Sequence, residues 1–258
     1  MHYRQYASTV QWMKDRIIES GAEPLVRPLW SKLTGHGLCA TDLELGQVIA
    51  QVIRPDSLCI DIGAHKGLIL DMCIRYAPKG TLYAFEPIPY LAKLLRRKYR
   101  WNSRVTVHEM ALSDKAGTAS FFVNNSAMGY SSLVSPNSNV TETEVQECVV
   151  KVSRLDDVLP QARPTFIKID VEGAELGVLR GAREMLTRSR PTIAFEHALG
   201  GADRFSTTPE NIFDFFSEIG FKVSTMPGYL NKQPPFSRSE FSTQFYRQIN
   251  SNFLAYPA

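Results

Sequence analysis

An apolar strand followed by a glycine-containing turn and a helix limits this chain to a small set of folds. Residues 58–62 are apolar apart from Asp61, and the turn after them carries Gly63 and Gly67 before a helix candidate over residues 67–77. Glycines let the backbone approach a ligand closely, and the N–H groups that open a helix point at it. A plain strand-to-helix turn would show the same two glycines, so the pair alone does not establish a binding site.

A second acidic residue, Glu86, closes the next strand candidate and favours a nucleoside ligand. It follows Gly67 at about the 20-residue spacing at which a carboxylate meets a ribose hydroxyl. The loop lacks the G-x-G-x-x-G pattern of dinucleotide binders and reads D-x-G-x-H-x-G from Asp61, with His65 near its centre. Histidine adopts left-handed backbone more readily than most residues. The pattern favours S-adenosylmethionine over NAD, with Asp61 binding its amino group through water.

Strands and helices alternate from residue 58 onward, which predicts βαβ crossovers and a mostly parallel sheet. The expected fold class is α/β, a Rossmann-like class I methyltransferase fold with seven strands, the last of them antiparallel. The strand candidates are residues 58–62, 81–86, 104–110, 165–170, 192–196, 221–226 and 252–256. The helix candidates are residues 67–77, 89–101, 174–188 and 209–219.

Two additions to this sheet are expected. Residues 1–50 show helical spacing interrupted by glycines and prolines, which predicts a helical N-terminal extension before a methyltransferase domain over residues 51–258. Residues 118–155 hold two strand-like runs around a polar stretch, which predicts a β-hairpin inserted after the third strand. Insertions at strand ends often build substrate contacts, and a surface loop is an equally good interpretation.

Composition argues against several classes of protein. The net charge of +3 is too small to indicate a nucleic-acid partner, and the basic side chains of helix 89–101 are interpreted as a solvated face. No segment approaches the roughly 18 to 20 apolar residues of a membrane span, and residues 1–20 lack the apolar core of a secretory signal. The four cysteines show no metal or redox spacing, which favours a cytoplasmic location. A homo-oligomer is compatible with the sequence.

Six motifs follow one another in a recognisable order. They are residues 61–67, 85–87, 111–114, 155–157, 167–175 and 179–182. From about residue 58 to residue 197 the series resembles the FkbM-type methyltransferases, and the run KIDVEGAE at residues 168–175 is its most specific part. His65 departs from the asparagine expected in the first motif.

The resemblance implies S-adenosylmethionine-dependent O-methylation of a sugar, a glycan or a polyketide-type product, so the expected partner is a small-molecule or glycan acceptor. It also implies that Glu86 binds the ribose diol and that Ile88 lies near the adenine, with Pro87 among the cofactor-binding residues. The backbone of Met110 and Ala111 is expected at the adenine edge. The expected cofactor site is completed by Asp61, Gly63, Ala64, His65, Gly67 and Asp170.

Methyl transfer to a hydroxyl requires alignment of the reacting atoms and removal of a proton. Ligands of open α/β sheets bind beyond the carboxyl ends of the strands, where Asp170, Glu172, Glu196 and His197 are expected. Lys168 shares a strand face with Asp170 and is expected to anchor it or to meet the substrate. The candidate catalytic residues are Asp170, His197, Glu172 and Lys168.

Two mechanisms remain open at this point. In the first, Asp170, Glu196 and His197 hold a metal ion, as in some metal-dependent O-methyltransferases; the carboxylates suit Mg²⁺, whereas the histidine is more typical of Mn²⁺ or iron. In the second, no metal is used and His197, whose ordinary pKa is near neutral, is the base. Two other functions also remain open for the chain. It could be a nicotinamide-dependent oxidoreductase on the same kind of sheet, or a non-catalytic cofactor-binding module.

Overall fold

A computed structural model describes residues 39–124, residue 133 and residues 145–258 of the chain. Most of the helical extension predicted for residues 1–50 lies outside the described residues, and within them helix α1 spans Ala40–Val52. In the described ranges, no helix has both the length and the apolar character needed to cross a membrane.

The described elements follow the predicted alternation. After α1 they are β1 (Leu58–Ile62), α2 (Leu68–Tyr76), β2 (Thr81–Phe85), α3 (Pro89–Lys98), β3 (Val105–His108), β4 (Ala111–Leu112), β5 (Gly117–Asn124), β6 (Val145–Ser153), α4 (Leu155–Val158) and β7 (Phe166–Ile169). They continue with α5 (Glu175–Gly181), α6 (Arg183–Ser189), β8 (Thr192–Glu196), a 3-10 helix (Ala202–Phe205), α7 (Pro209–Glu218), β9 (Phe221–Ser224), α8 (Met226–Leu230), α9 (Arg238–Tyr246) and β10 (Asn252–Pro257).

The described residues form a seven-stranded sheet in the order β3-β2-β1-β7-β8-β10-β9. β1 pairs in parallel with β2 and β7, whereas β10 runs antiparallel to β8 and β9. The chain turns from one half of the sheet to the other beside β1, and open α/β sheets bind ligands at such a reversal. The fold is the Rossmann-like class I methyltransferase fold that the sequence predicts, including its antiparallel last strand.

The inserted segment forms a small second sheet. β5 and β6 pair antiparallel from Gly117 opposite Val152 to Asn124 opposite Val145, as the predicted hairpin requires. The short β4, which was not predicted, joins β6 in parallel and makes the sheet three-stranded. Phe121 on β5 packs with Ile88 and Leu91 at the start of α3, so the insertion is fixed beside the carboxyl end of β2.

Apolar side chains bury both faces of the large sheet, as expected for strands between two helical layers. Ile60, Ile167 and Phe195 face a core that includes side chains of α5, α6, α7 and α9. Cys59 and Phe166, one residue away along their strands, face a second core that includes side chains of α1 and α2. Since strand side chains alternate, Asp61 and Lys168 fall on the second face.

Three local predictions differ from the structure. The helix expected over residues 174–188 is two helices, because the buried Asp156 carboxylate accepts the backbone N–H groups of Glu184 and Met185 and begins a new helix there. The strand expected over residues 104–110 ends at His108, since β4 belongs to the other sheet. α9 was not predicted, although Ser237 and Glu240 form a capping box that signals its start.

Candidate functional site

The turn after β1 is shaped by a close approach of two backbone segments. Gly63 has φ 81°, and a Cβ at this position would collide with the carbonyl oxygen of Asp170 at the end of β7. A residue without a side chain is therefore required, which is a steric reason for the first glycine of the motif. His65 also adopts a positive φ, of 47°.

Three N–H groups of this turn donate hydrogen bonds within the protein. Gly63 and Ala64 donate to the carbonyl oxygen of Phe85 at 2.9 and 3.1 Å. His65 donates its backbone N–H to Oε2 of Glu86 at 2.8 Å. The turn after β1 is thus fastened to the end of β2, and its contribution to a ligand site is mainly its shape.

Glu86 lies at the end of β2 with its carboxylate held from two sides. Oε2 accepts the N–H of His65, and Oε1 accepts the N–H of Ile88 at 2.9 Å. The residue is buried, and burial raises the pKa of its carboxyl group to about 7, against the opposing effect of the two N–H groups. Each oxygen retains a lone pair, so the fixed carboxylate can still accept hydrogen bonds from a ligand diol.

A cavity of about 200 Å³ opens between the ends of β1, β2, β7 and β8. Nine residues predicted from the sequence line it together. They are Gly63, His65, Glu86, Pro87, Ile88, Ala111, Asp170, Glu172 and Glu196. The structure therefore brings most of the predicted cofactor residues and most of the predicted strand-end carboxylates to one place.

One wall of the cavity is apolar, and part of it was not predicted. Leu91 on α3, Phe121 on β5 and Leu133 of the inserted segment line it with Ile88 and Ala111. Leu91 follows Ile88 by three residues at the start of α3, a spacing that places both on one side of the helix and was visible in the sequence. Phe121 and Leu133 reach the cavity because of the way the small sheet packs on the rest of the protein, which the pattern of strand residues alone does not predict.

The opposite end of the cavity is acidic, and the cation Lys168 contacts it from outside the cavity wall through Asp170. The Lys168 ammonium, itself buried, donates to Oδ2 of Asp170 at 3.1 Å and to the carbonyl oxygen of Ile169 at 3.3 Å. Burial works to raise the pKa of Asp170, but the charge and hydrogen bond of Lys168 outweigh it, so the pKa lies below its ordinary value. Asp170 is therefore the member of this group that keeps its negative charge.

The pKa of Glu196, at the end of β8, is raised, whereas that of Asp170 is lowered. Burial raises the pKa of its carboxyl group to about 7, and the interaction with the neighbouring Asp170 carboxylate acts in the same direction. Two carboxyl groups in contact are most stable when they share one proton. With a pKa of about 7, Glu196 gains or loses this proton near neutral pH.

Glu172 completes the acidic end in a strained conformation. It has φ 54°, which is uncommon for a residue with a side chain, and strain of this kind clusters at functional sites. Burial raises the pKa of its carboxyl group to about 8, and the charges of Asp170 and Glu196 add to the effect. Glu175 supports the turn, because its Oε1 accepts the N–H groups of Val171 and Gly173 at 3.2 and 3.1 Å.

Several predicted residues do not line the cavity. Gly67 caps the start of α2 and packs against Tyr99, whose hydroxyl donates to its carbonyl oxygen at 2.9 Å. Met110 packs against the core on the side of α5 to α7. The others are Asp61, Ala64, Lys168 and His197.

Asp61 provides a test of whether the site suits S-adenosylmethionine. It is buried, and burial raises the pKa of its carboxyl group to about 7. Its Oδ2 has no hydrogen-bond partner among the described residues. A buried carboxylate oxygen without a partner is costly, and the ammonium group of the methionine end, reached directly or through water, would satisfy it. With Glu86 for the ribose and an apolar wall for the adenine, the residues fit this cofactor.

The structure does not place the predicted site residue His197 on the cavity wall. The side chain is fully buried, and its ring stacks on Phe245 with centroids 4.6 Å apart and on Phe241 at 6.1 Å. Burial lowers the pKa of the imidazole to about 4. The side chain alternates from Glu196 to the other side of the strand end, so a base or ligand role beside Asp170 is not available to it.

The predicted metal ligands Asp170, Glu196 and His197 accordingly do not come together. Within residues 39–124 and 145–258, no group of three histidine, cysteine, aspartate or glutamate side chains is arranged to hold a metal ion. The two carboxylates, Asp170 and Glu196, both line the first cavity.

Comparison with known proteins shows which family this chain belongs to. The family model described as the methyltransferase FkbM domain matches residues 61–223, which contain the glycine turn, Glu86 and the acidic end of the cavity.

Three curated relatives share part of the sequence. The 2-O-methyltransferase NoeI of Sinorhizobium fredii is 29% identical over an alignment of 157 residues that covers 56% of this chain and 65% of that protein. The hexuronic acid methyltransferase AglP of Haloferax volcanii is 26% identical over 194 residues, 74% of this chain and 73% of that protein. The 31-O-demethyl-FK506 methyltransferase FkbM of Streptomyces tacrolimicus is 28% identical over 179 residues, 58% of this chain and 69% of that protein. The chain thus spans less than two thirds of the length of NoeI.

Proposed function

Because the chain belongs to the methyltransferase FkbM domain family, we propose that it is an S-adenosylmethionine-dependent O-methyltransferase. The observation that carries this proposal is the buried carboxylate of Glu86, fixed by the N–H groups of His65 and Ile88 at one end of a cavity with an apolar wall. A carboxylate fixed in this way is suited to a ribose diol, and the apolar wall beside it to an adenine ring.

In this proposal each end of the cavity holds a different part of the cofactor. Glu86 accepts the two ribose hydroxyls, Ile88 and Phe121 contact the adenine, and Asp61, which does not line the cavity, binds the ammonium group through water. When bound, S-adenosylmethionine supplies a methyl group already activated by its sulfonium centre. The protein then has to align the acceptor oxygen and remove its proton.

The carboxyl pair of Asp170 and Glu196 is the proposed proton acceptor. Lys168 keeps Asp170 ionised. Asp170 is therefore a weak base, and its negative charge can attract a positively charged group nearby. Glu196, with a pKa of about 7, is matched to accept a proton near neutral pH. Lys168 is a positioning residue in this scheme because it acts through Asp170.

The proposed acceptor is a hydroxyl group of a sugar, a glycan or a polyketide-type product. Two relatives support this range, since one is named for a hexuronic acid and another for a demethylated FK506. The acidic and polar end of the cavity is compatible with a hydroxylated acceptor.

Two measurements test the proposal. Calorimetric titration should show binding of S-adenosylhomocysteine and not of NAD, and preferential binding of NAD would favour an oxidoreductase. Incubation with labelled S-adenosylmethionine and a panel containing methyl glucoside, methyl glucuronide and 31-O-demethyl-FK506 should give a methyl ether on a hydroxyl group, detected by mass spectrometry. A chain that binds neither S-adenosylmethionine nor S-adenosylhomocysteine would overturn the proposal.

A further inference from the structure

A second cavity of about 190 Å³ adjoins the proposed cofactor cavity. The two share Glu172 and Glu196 as a common wall. The rest of the second cavity is formed by Glu175 of α5, by residues 198–201 after β8 and by Arg204 of the 3-10 helix. A molecule placed there would therefore lie directly beside the carboxyl groups at the acidic end of the first cavity.

Glu175 gives this cavity an unused hydrogen-bond acceptor. Its side chain is 1% exposed, and Oε1 is occupied by the N–H groups of Val171 and Gly173. Oε2 has no hydrogen-bond partner among the described residues. Most buried polar atoms are paired in folded proteins, and one left unpaired on a cavity wall indicates a ligand or water partner.

The cavity is built around a fixed contact between two backbone turns. A Cβ at Gly173 would collide with the carbonyl group of Gly201, and a Cβ at Gly201 would lie 3.2 Å from the carbonyl carbon of Glu172. The turn carrying Glu172 and the turn after β8 therefore touch backbone to backbone. This contact holds Glu172, Glu175 and Glu196 in place around the cavity without any side chain filling it.

The charges around the cavity favour an uncharged ligand that donates hydrogen bonds. Glu172, Glu175 and Glu196 line it against the one guanidinium group of Arg204. Carboxyl oxygens accept hydrogen bonds from hydroxyl groups, and burial already disfavours the charged forms of these three groups, so a further negative charge placed beside them is unfavourable.

We propose that this second cavity is the acceptor subsite and that it takes a neutral polyhydroxylated unit, such as an uncharged sugar ring, with one hydroxyl donating to Oε2 of Glu175. This inference rests on the proposed methyl transfer and selects, among its acceptors, neutral sugars over hexuronic acids and polyketides. The hydroxyl to be methylated lies next to Glu196, and a second hydroxyl of the same ring reaches Glu175.

Amide NMR spectra of the isotope-labelled protein, saturated with S-adenosylhomocysteine, test the subsite directly. The probes are the methyl glycosides of glucose, galactose, mannose and rhamnose, each neutral, and methyl glucuronide as the anionic match of methyl glucoside. We expect at least one neutral glycoside to shift the amide signals of Glu175, Gly200 and Gly201. Methyl glucuronide should bind about tenfold or more weakly than the best neutral probe.

Two variants assign the effect to the cavity. Glu175→Gln retains an oxygen for Val171 and Gly173 but replaces the free acceptor by a donor, and should weaken glycoside binding about tenfold, the size expected for a hydrogen bond to a charged group. Ala198→Phe should fill the cavity and abolish binding. Ile249→Phe, at a 56% exposed position, is the control for added bulk and should bind like the wild type.

The outcomes separate this inference from the proposed function. If none of the four neutral glycosides shifts these amides, or if methyl glucuronide binds as tightly as the best of them, the neutral-sugar subsite is wrong. Unchanged glycoside binding in both Glu175→Gln and Ala198→Phe would also overturn it. In each case binding of S-adenosylhomocysteine and methyl transfer to another acceptor would leave the proposed function standing.

Discussion

The backbone N–H of His65 donates to the carboxylate of Glu86 across 2.8 Å and connects the turn after β1 to the end of β2. One hydrogen bond thus links the two motifs that the sequence singles out for nucleoside binding. It also accounts for the left-handed backbone of His65, at φ 47°, since this conformation accompanies the N–H that reaches Glu86. The carboxylate is oriented before any ligand arrives, which lowers the entropic cost of binding.

Replacing Glu86 by alanine should weaken the binding of S-adenosylhomocysteine about 100-fold or more. The loss of two hydrogen bonds to a charged group, each contributing about 1.5 kcal/mol or more, sets this lower limit. Calorimetric titration measures it. Glu109→Ala is the matched control, because Glu109 is a half-exposed glutamate just beyond β3 that pairs with Arg96 and lies outside the cavity. Equal affinities of the two variants would remove Glu86 from the ribose role.

Replacing Gly63 by alanine should destabilise the protein severely. The new methyl group would meet the carbonyl oxygen of Asp170, in addition to the cost of about 1–2 kcal/mol for a side chain at positive φ. Gly200→Ala is the matched control, because Gly200 also has positive φ, 90°, but nothing lies within 4 Å of an added Cβ. Urea unfolding of both variants separates the cost of the collision with Asp170 from the cost of a side chain at positive φ. A similar loss of stability in the two variants would show that the contact with Asp170 is unimportant.

The sequence predicts the fold well because its signals are local. The strand ends at Asp61, Glu86 and Asp170 are marked by apolar runs that stop at an acidic residue, and in a parallel sheet such ends gather at one edge. The cavity formed there includes nine of the predicted site residues. Gly63 is placed correctly for a reason visible only in three dimensions, the approach of Asp170.

What the sequence does not predict depends on contacts between distant segments. Phe121 reaches the cavity because the small sheet packs on α3, a docking that no strand pattern encodes. His197 lies one residue beyond Glu196, and its direction is decided by Phe241 and Phe245 of α9, a helix that was not predicted. The capping box at Ser237 marks the start of α9 in the sequence but does not show that its phenylalanines pack on His197.

Asp170→Asn should lower turnover about 100-fold or more while changing the affinity for S-adenosylhomocysteine only a few-fold. Removing the charge leaves the Lys168 ammonium without its carboxylate and deprives Glu196 of its proton-sharing partner. General-base catalysis contributes about 100- to 10,000-fold, which sets the expected range. Steady-state kinetics with an acceptor that the wild-type protein methylates measure turnover, and calorimetry measures the affinity for S-adenosylhomocysteine. Full turnover in the variant would end the proposed role.

The pH dependence of turnover should identify Glu196 as the base. Its carboxyl group, with a pKa of about 7, must lose its proton to act, so the rate should rise as the pH increases through about 7. In Glu196→Gln this rise should disappear together with most of the activity. A variant that keeps both the activity and the same pH profile would assign the base elsewhere, with Glu172 as the next candidate.

Stability without ligand should fall between about pH 5 and pH 8. Burial raises the pKa of Glu172 to about 8, and those of Glu175 and Glu196 to about 7, from an ordinary value of 4.5. In that interval the folded state binds more protons than the unfolded state, so raising the pH favours unfolding. Thermal melts across the interval measure the slope, which Glu172→Gln should reduce. A melting temperature that rises with pH would contradict the assignment.

Replacing His197 by phenylalanine should leave turnover unchanged and stabilise the fold. Neither ring nitrogen has a hydrogen-bond partner among the described residues, and the ring already stacks on Phe241 and Phe245. An aromatic ring without polar atoms removes the cost of burying them, about 1–3 kcal/mol in comparable cases. Urea unfolding and steady-state kinetics measure the two effects, and His197→Ala, which leaves a void, is the control that should destabilise. A large loss of turnover in the phenylalanine variant, with its stability intact, would return His197 to the catalytic site.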